Sequence, residues 1–155
     1  MNTNEALKKL LAVLMALGLF FVLGEALIRA YLRFNIAYDI EMTRYALHLK
    51  DDSPNPRIGH VHRPNSSMRL MGVPVEINSD GLRDEEYPVQ RSDAYRVIFL
   101  GDSLTFGWGV KQEETFHHLL EERLGETSPT EILNFGTGNY NTEQEVELFL
   151  EKGLK

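Results

Sequence analysis

Tyr95-Arg-Val-Ile-Phe-Leu-Gly-Asp-Ser-Leu-Thr-Phe-Gly-Trp-Gly109 is the stretch that decides how this 155-residue chain is read. Val97 to Leu100 is an unbroken apolar run, β-branched and aromatic rather than alternating, which predicts a strand covered on both faces, as in a parallel sheet. In open α/β sheets ligands bind just past the carboxyl ends of the strands, and that place is filled by Gly101, Asp102 and Ser103. Ser103 is therefore the candidate nucleophile, with Gly101 and Asp102 in support. Gly101 lets the backbone turn sharply, and Gly107 and Gly109 let the next loop approach a bound group. The bland alternative is that Ser103 only caps the helix that follows, since Ser and Asp are common caps.

Downstream, Thr115 to Leu124 predicts an amphipathic helix with Phe116, Leu119, Leu120 and Leu124 inward, stopped by Gly125. His117 and His118 lie within it and read as surface residues. Glu131 to Gly136 predicts a second short strand. Thr142 and Glu145 form a capping box opening a last helix, whose buried stripe is Val146, Phe149 and Leu150. The order strand, helix, strand, helix implies two parallel strands joined by a right-handed crossover. Ser103 and the loop from Gly136 to Asn141 then meet at one sheet edge.

Gly101-Asp102-Ser103-Leu104 at the end of a strand resembles the first sequence block of the SGNH or GDSL hydrolase family. The loop from Asn134 to Thr142 is similar to that family's second block, in which the key glycine stands five residues after the Asn. Here that place is Asn139, with Gly138 just before it, so both are candidate donors. Asn at this point tolerates positive φ better than most residues. The resemblance implies a parallel-sheet α/β/α sandwich and ester hydrolysis or acyl-ester transfer. It assigns Ser103 as nucleophile and the backbone of Ser103, Gly138 and Asn139 as the oxyanion hole. The Gly-x-Asn-Asp and Asp-x-x-His blocks that would supply the base are absent from this chain. The expectation is therefore an incomplete domain over 95–155, weakly active as it stands.

Upstream, residues 58–94 read as an extended, β-rich lead-in. Alternation from Val75 followed by Asp80-Gly81 suggests a strand and a tight turn. Asn78 to Arg83 loosely resembles the Asn-Ser-x-Gly-x-Arg pattern found ahead of the nucleophile strand in some anchored SGNH proteins. His60 and His62 could be metal ligands two apart on a strand, but with no third ligand evident they read as partly exposed loop residues. Residues 31–57 read as a juxtamembrane helix, with Tyr31, Phe34, Tyr38 and Met42 on one face, followed by a linker where Asp51, Asp52, Ser53, Pro54 and Pro56 end it.

Leu10 to Gly24 has no charged residue, and with Glu25 tolerated the apolar stretch runs to Ile28, long enough to cross a bilayer core. Residues 1–30 thus read as a single transmembrane anchor, with a cleaved signal and a buried helix as the competing readings. Lys8 and Lys9 on one side and Arg29 and Arg33 on the other leave the orientation open. The resemblance favours an extracytoplasmic catalytic domain acting on an acyl-ester substrate, a cell-envelope polysaccharide or a lipid.

The formal net charge is -7, with no basic stripe to neutralise a phosphate backbone, so nucleic acid is not an expected partner. The absence of cysteine removes disulfides, thiolate metal sites and cysteine nucleophiles. No cofactor or metal is expected: the glycine spacing in 101–109 fits neither the dinucleotide fingerprint nor the P-loop. The competing class of function is a non-catalytic, membrane-anchored chain that binds a glycan or a protein.

Overall fold

The structure, a computed structural model, describes residues 3–88 and 93–154 in two units, Met1–Ala37 and Tyr38–Lys155. The far end of the predicted lead-in, residues 89–92, lies outside the described residues.

The first unit is one helix, α1 (Thr3–Phe34). From Asn4 to Arg33 it is long and apolar enough to cross a membrane. Glu25, the charge within the apolar stretch, is paired with Arg29 one turn on at 2.6 Å, which offsets the cost of a carboxylate there. Asn35 ends the helix: its side-chain amide and its backbone N–H both donate to the Tyr31 carbonyl, at 2.9 and 3.0 Å. The stretch read as juxtamembrane therefore begins a new helix, at Tyr38. After carbonate washing, full-length protein is expected in the membrane pellet. Recovery in the soluble fraction would rule out the anchor, and an N-terminus near Glu25 would show a cleaved signal.

The second unit begins with α2 (Tyr38–Leu49), followed by two antiparallel hairpins. The first pairs β1 (Lys50–Asp52) with β2 (His60–His62), so Asp51 and Asp52 belong to a ladder and not to the expected linker. His60 and His62 likewise stand on a strand, and His62 is buried, contrary to the loop reading. The second hairpin pairs β3 (Ser67–Leu70) with β4 (Val73–Glu76) through Met71 and Gly72, both at positive φ, as a two-residue primed turn requires. The expected turn after β4 is present: the Gly81 N–H donates to the Asn78 carbonyl at 3.1 Å, with Gly81 at φ +78.

The predicted strand after it is β5 (Tyr95–Phe99), paired in parallel with β6 (Thr130–Asn134) in the register Val97 to Ile132. Between them lie α3 (Ser103–Phe106) and α4 (Phe116–Gly125), and α5 (Thr142–Leu148) follows, continuing as a π-helical turn to Gly153. Phe99 stacks on Phe116 of α4, while Ile98 and Leu133, on the opposite face, join a core with Ile58, Leu82, Phe135, Tyr140 and Leu148. Helices therefore flank this two-stranded parallel sheet on both faces. A second core gathers Tyr45 and Leu49 of α2, Leu70 and Val75 of the hairpin, Ile77 and Phe106.

Three sequence expectations are corrected here. The β5 run is half-buried, not fully covered, because β6 is its one strand neighbour among the described residues. In α4, His117 is buried while Phe116 and Leu119 are about half exposed. The helix turns toward the polar partners that His117 finds on β6. In α5 the buried residue is Leu148, with Val146 and Leu150 exposed, and the cap is one residue earlier than expected. The Asn141 side chain accepts from the Gln144 N–H at 3.1 Å, and Gln144 reaches back to the Asn141 N–H at 3.0 Å.

Candidate functional site

The loop after β5 and the loop after β6 are tied together. The Thr137 N–H donates to the Gly101 carbonyl at 3.0 Å, extending the parallel ladder beyond the strands. A Cβ at Gly136 would lie 2.2 Å from the Phe106 nitrogen, so only glycine lets the second loop rest on the α3 backbone. Gly101 is needed for a different reason: a Cβ there would meet Thr105 Oγ1 at 2.0 Å.

Asp102, not Ser103, caps α3: its carboxylate accepts from the Leu104 N–H at 2.9 Å. Ser103 is left as the first residue of the helix, half-buried, its hydroxyl and its N–H without a hydrogen bond to any described residue. At the other end of α3, Gly107 takes the left-handed conformation at φ +83 and returns its N–H to Leu104.

Arg83, the last residue of the Asn78 to Arg83 pattern, is completely buried and reaches this loop. Its guanidinium lies 5.1 Å from the Phe106 ring. It donates to the carbonyls of Phe106 at 3.0 Å, Gly107, and Val110 at 2.6 Å. The start of the pattern shapes the approach: Asn78 Oδ1 accepts from the N–H groups of Asp80 and Leu82 at 3.0 and 2.8 Å. The next residue serves the other loop. Asp84 accepts the Asn134 N–H at 2.7 Å, and burial pushes its carboxyl up to about 7. Asn134 in turn donates its side-chain amide to the Arg83 carbonyl at 3.2 Å and accepts from the Gly136 N–H at 2.9 Å. One short segment thus braces both loops.

The two candidate donors of the second loop differ. The Gly138 N–H is committed to the Tyr45 hydroxyl at 3.0 Å. The Gly81 carbonyl can only accept, so the neutral His62 ring carries its proton on Nδ1, 3.2 Å from that oxygen, and its bare Nε2 accepts the Tyr45 hydroxyl proton at 2.6 Å. Burial holds His62 neutral, its pKa pushed down to about 3. Asn139 is exposed, at φ +71, and its N–H has no hydrogen bond to a described residue. Of the two, Asn139 is the one whose N–H is free among the described residues, in the positive-φ conformation that Asn tolerates.

Asn139 also lines a cavity of about 700 Å³ with Met42, Leu47, Lys50, Asp52 and His60. A second cavity of about 340 Å³ is bounded by Leu82, Ile98, Phe135 and Lys152, and Ser103 lines neither.

No histidine or carboxylate among the described residues bonds the Ser103 hydroxyl. His117 is taken up by the Asn134 amide at 3.2 Å and kept neutral by burial, its pKa down to about 4. His60 and His62 belong to the Tyr45 and Lys50 networks. No group of three or more metal-ligating side chains occurs among the described residues. Tyr45, Lys50 and Arg83 carry no local signal that marks them as site residues. Arg83 could be found only through the pattern that ends on it.

No protein-family model matches the chain, and no curated protein matches it either.

Proposed function

We propose that the chain carries the nucleophile side of a membrane-anchored serine ester hydrolase or acyl-ester transferase of the SGNH type, acting on an acyl or acetyl ester. The observation that carries this reading is the Thr137 to Gly101 hydrogen bond. It joins two loops that hold an uncommitted serine hydroxyl and uncommitted N–H groups at Ser103 and Asn139. In such a site the Ser103 oxygen attacks the ester carbonyl, its proton passes to a base, and the two N–H groups hold the oxyanion. The base is not among the described residues, so turnover by this chain is expected to be poor. The apolar helix α1 supports a single-pass attachment, with a cell-envelope polysaccharide or a lipid as the substrate class.

Incubation of the detergent-solubilised full chain with a fluorophosphonate probe, followed by peptide mass spectrometry, tests the assignment. The expected adduct is on Ser103, formed slowly, since the N–H groups of Ser103 and Asn139 assist the attack without a base. An adduct on another serine, or none, would overturn it. The missing base also favours a second reading, a non-catalytic chain that binds a glycan or a protein. Clear p-nitrophenyl acetate turnover that disappears in Ser103→Ala would exclude that reading.

A further inference from the structure

The Gly138–Asn139 peptide is held by two residues, Tyr45 and Lys50. Its flanking Gly138 N–H is fixed by Tyr45, and a Cβ at Gly138 would press on Tyr45 Cε1 at 2.8 Å, so the loop sits directly on that ring. Its carbonyl oxygen accepts from Lys50 Nζ at 2.6 Å. Its other end is the free Asn139 N–H. We infer that Lys50 is a positioning residue for the oxyanion donor: its ammonium polarises the Gly138–Asn139 peptide through the carbonyl oxygen and so strengthens the Asn139 N–H. This rests on the reading of Asn139 as an oxyanion donor.

The physical basis is amide resonance. A cation at the carbonyl oxygen favours the form with negative charge on oxygen and double-bond character in C–N, which leaves the N–H more positive. A charge-assisted bond does this more strongly than a neutral one. The surroundings keep the charge effective. Lys50 Nζ lies 4.4 Å from the Tyr45 ring centroid and 2.9 Å from His60 Nε2. An ammonium has no acceptor, so His60 Nε2 must accept, and its 3.3 Å approach to the same Gly138 oxygen is then a contact between two acceptors. That leaves Lys50 as the cation on this carbonyl. The groups that face it are Tyr45 from α2, Asp51 and Asp52 from its own strand, and His60 and His62 from β2. Asp51 is engaged by Arg63 at 2.7 Å. Burial lowers the Lys50 pKa to about 8, within reach of titration, while burial first and the Lys50 charge second hold His60 below its ordinary value.

The test uses the full chain, isotope-labelled in detergent micelles, with carbon-detected NMR that does not depend on the exchanging amide proton. The Gly138 carbonyl carbon and the Asn139 nitrogen are expected to titrate together with a midpoint near pH 8. Neither should titrate there in Lys50→Arg, which stays charged, or in Lys50→Met, whose shifts should match the high-pH wild type. The rate of Ser103 labelling by the fluorophosphonate should fall about tenfold in Lys50→Met, less than the loss of a whole donor, and be largely restored in Lys50→Arg. Shifts that do not titrate together, or a folded Lys50→Met that labels at the wild-type rate, overturn the inference. If Lys50→Met does not fold, the wild-type and Lys50→Arg titrations decide. Failure of the wild type to label at Ser103 would sink the esterase reading alone, since the coupled titration is read without it.

Discussion

Replacing Arg83 by methionine is expected to lower the unfolding midpoint of the second unit by more than about 10 °C, corresponding to about 3–5 kcal/mol. Methionine fills much of the same space, so the loss is chiefly polar. The buried Phe106 carbonyl loses its donor, the Gly107 carbonyl keeps the Val110 N–H alone, and the part-buried Val110 carbonyl loses Arg83. The guanidinium has already given up solvation to sit there, and burial lowers its pKa to about 10. Its stabilising effect is therefore concentrated in the turn that follows Ser103. Trp108, the single tryptophan, stands in that turn and packs against Tyr45 and Phe106, which makes its fluorescence a direct report. The comparison is Arg57→Met. Its ion pairs with Glu143 and Glu147 involve a side chain 63% exposed, and its loss should cost no more than about 1 kcal/mol. Equal effects of the two changes would show that Arg83 does not brace the loop.

Gly136→Ala should cost about 3 kcal/mol and separate the two loops. The added carbon would lie 2.2 Å from the Phe106 nitrogen and 2.5 Å from the Thr105 carbonyl carbon, and both are backbone atoms that no rotamer change can move aside. Relief requires lifting the second loop off α3, which strains the Thr137 to Gly101 bond and moves Asn139 relative to Ser103. Stability and Ser103 labelling should fall together. Gly125→Ala, at the end of α4 with nothing within 4 Å of the new carbon, should be neutral or stabilising by up to about 1 kcal/mol. Urea unfolding of both variants checks the contrast, and a Gly136→Ala protein as stable as Gly125→Ala would refute the close approach.

The elements around Ser103 were legible because their signals are local. An apolar run bounded by Gly101, a strand from Glu131 and a polar cap near residue 142 each report on the few residues beside them. The burial pattern was less legible, since α4 and α5 follow the partners that tertiary contacts supply. His117 turns inward because Asn134 offers its amide, and no period of hydrophobic residues encodes that. The hairpin turn at Met71 and Gly72 was missed because methionine is not a residue that marks positive φ. The braces at Tyr45, Lys50 and Arg83 act across 93, 88 and 24 residues of sequence, far beyond the reach of any spacing rule.

The outer side of β6 carries a consequence for assembly. The N–H groups of Ile132 and Asn134 point away from β5, and both are accepted by carboxylates: Glu121 at 2.6 Å and Asp84 at 2.7 Å. An incoming strand would have to displace two acidic side chains, one of which also receives the Tyr87 hydroxyl at 2.9 Å. That border is closed to β-addition, whether by a neighbouring molecule or by the chain's own residues. A strand added to the parallel sheet would have to join at β5, the strand that ends at the serine.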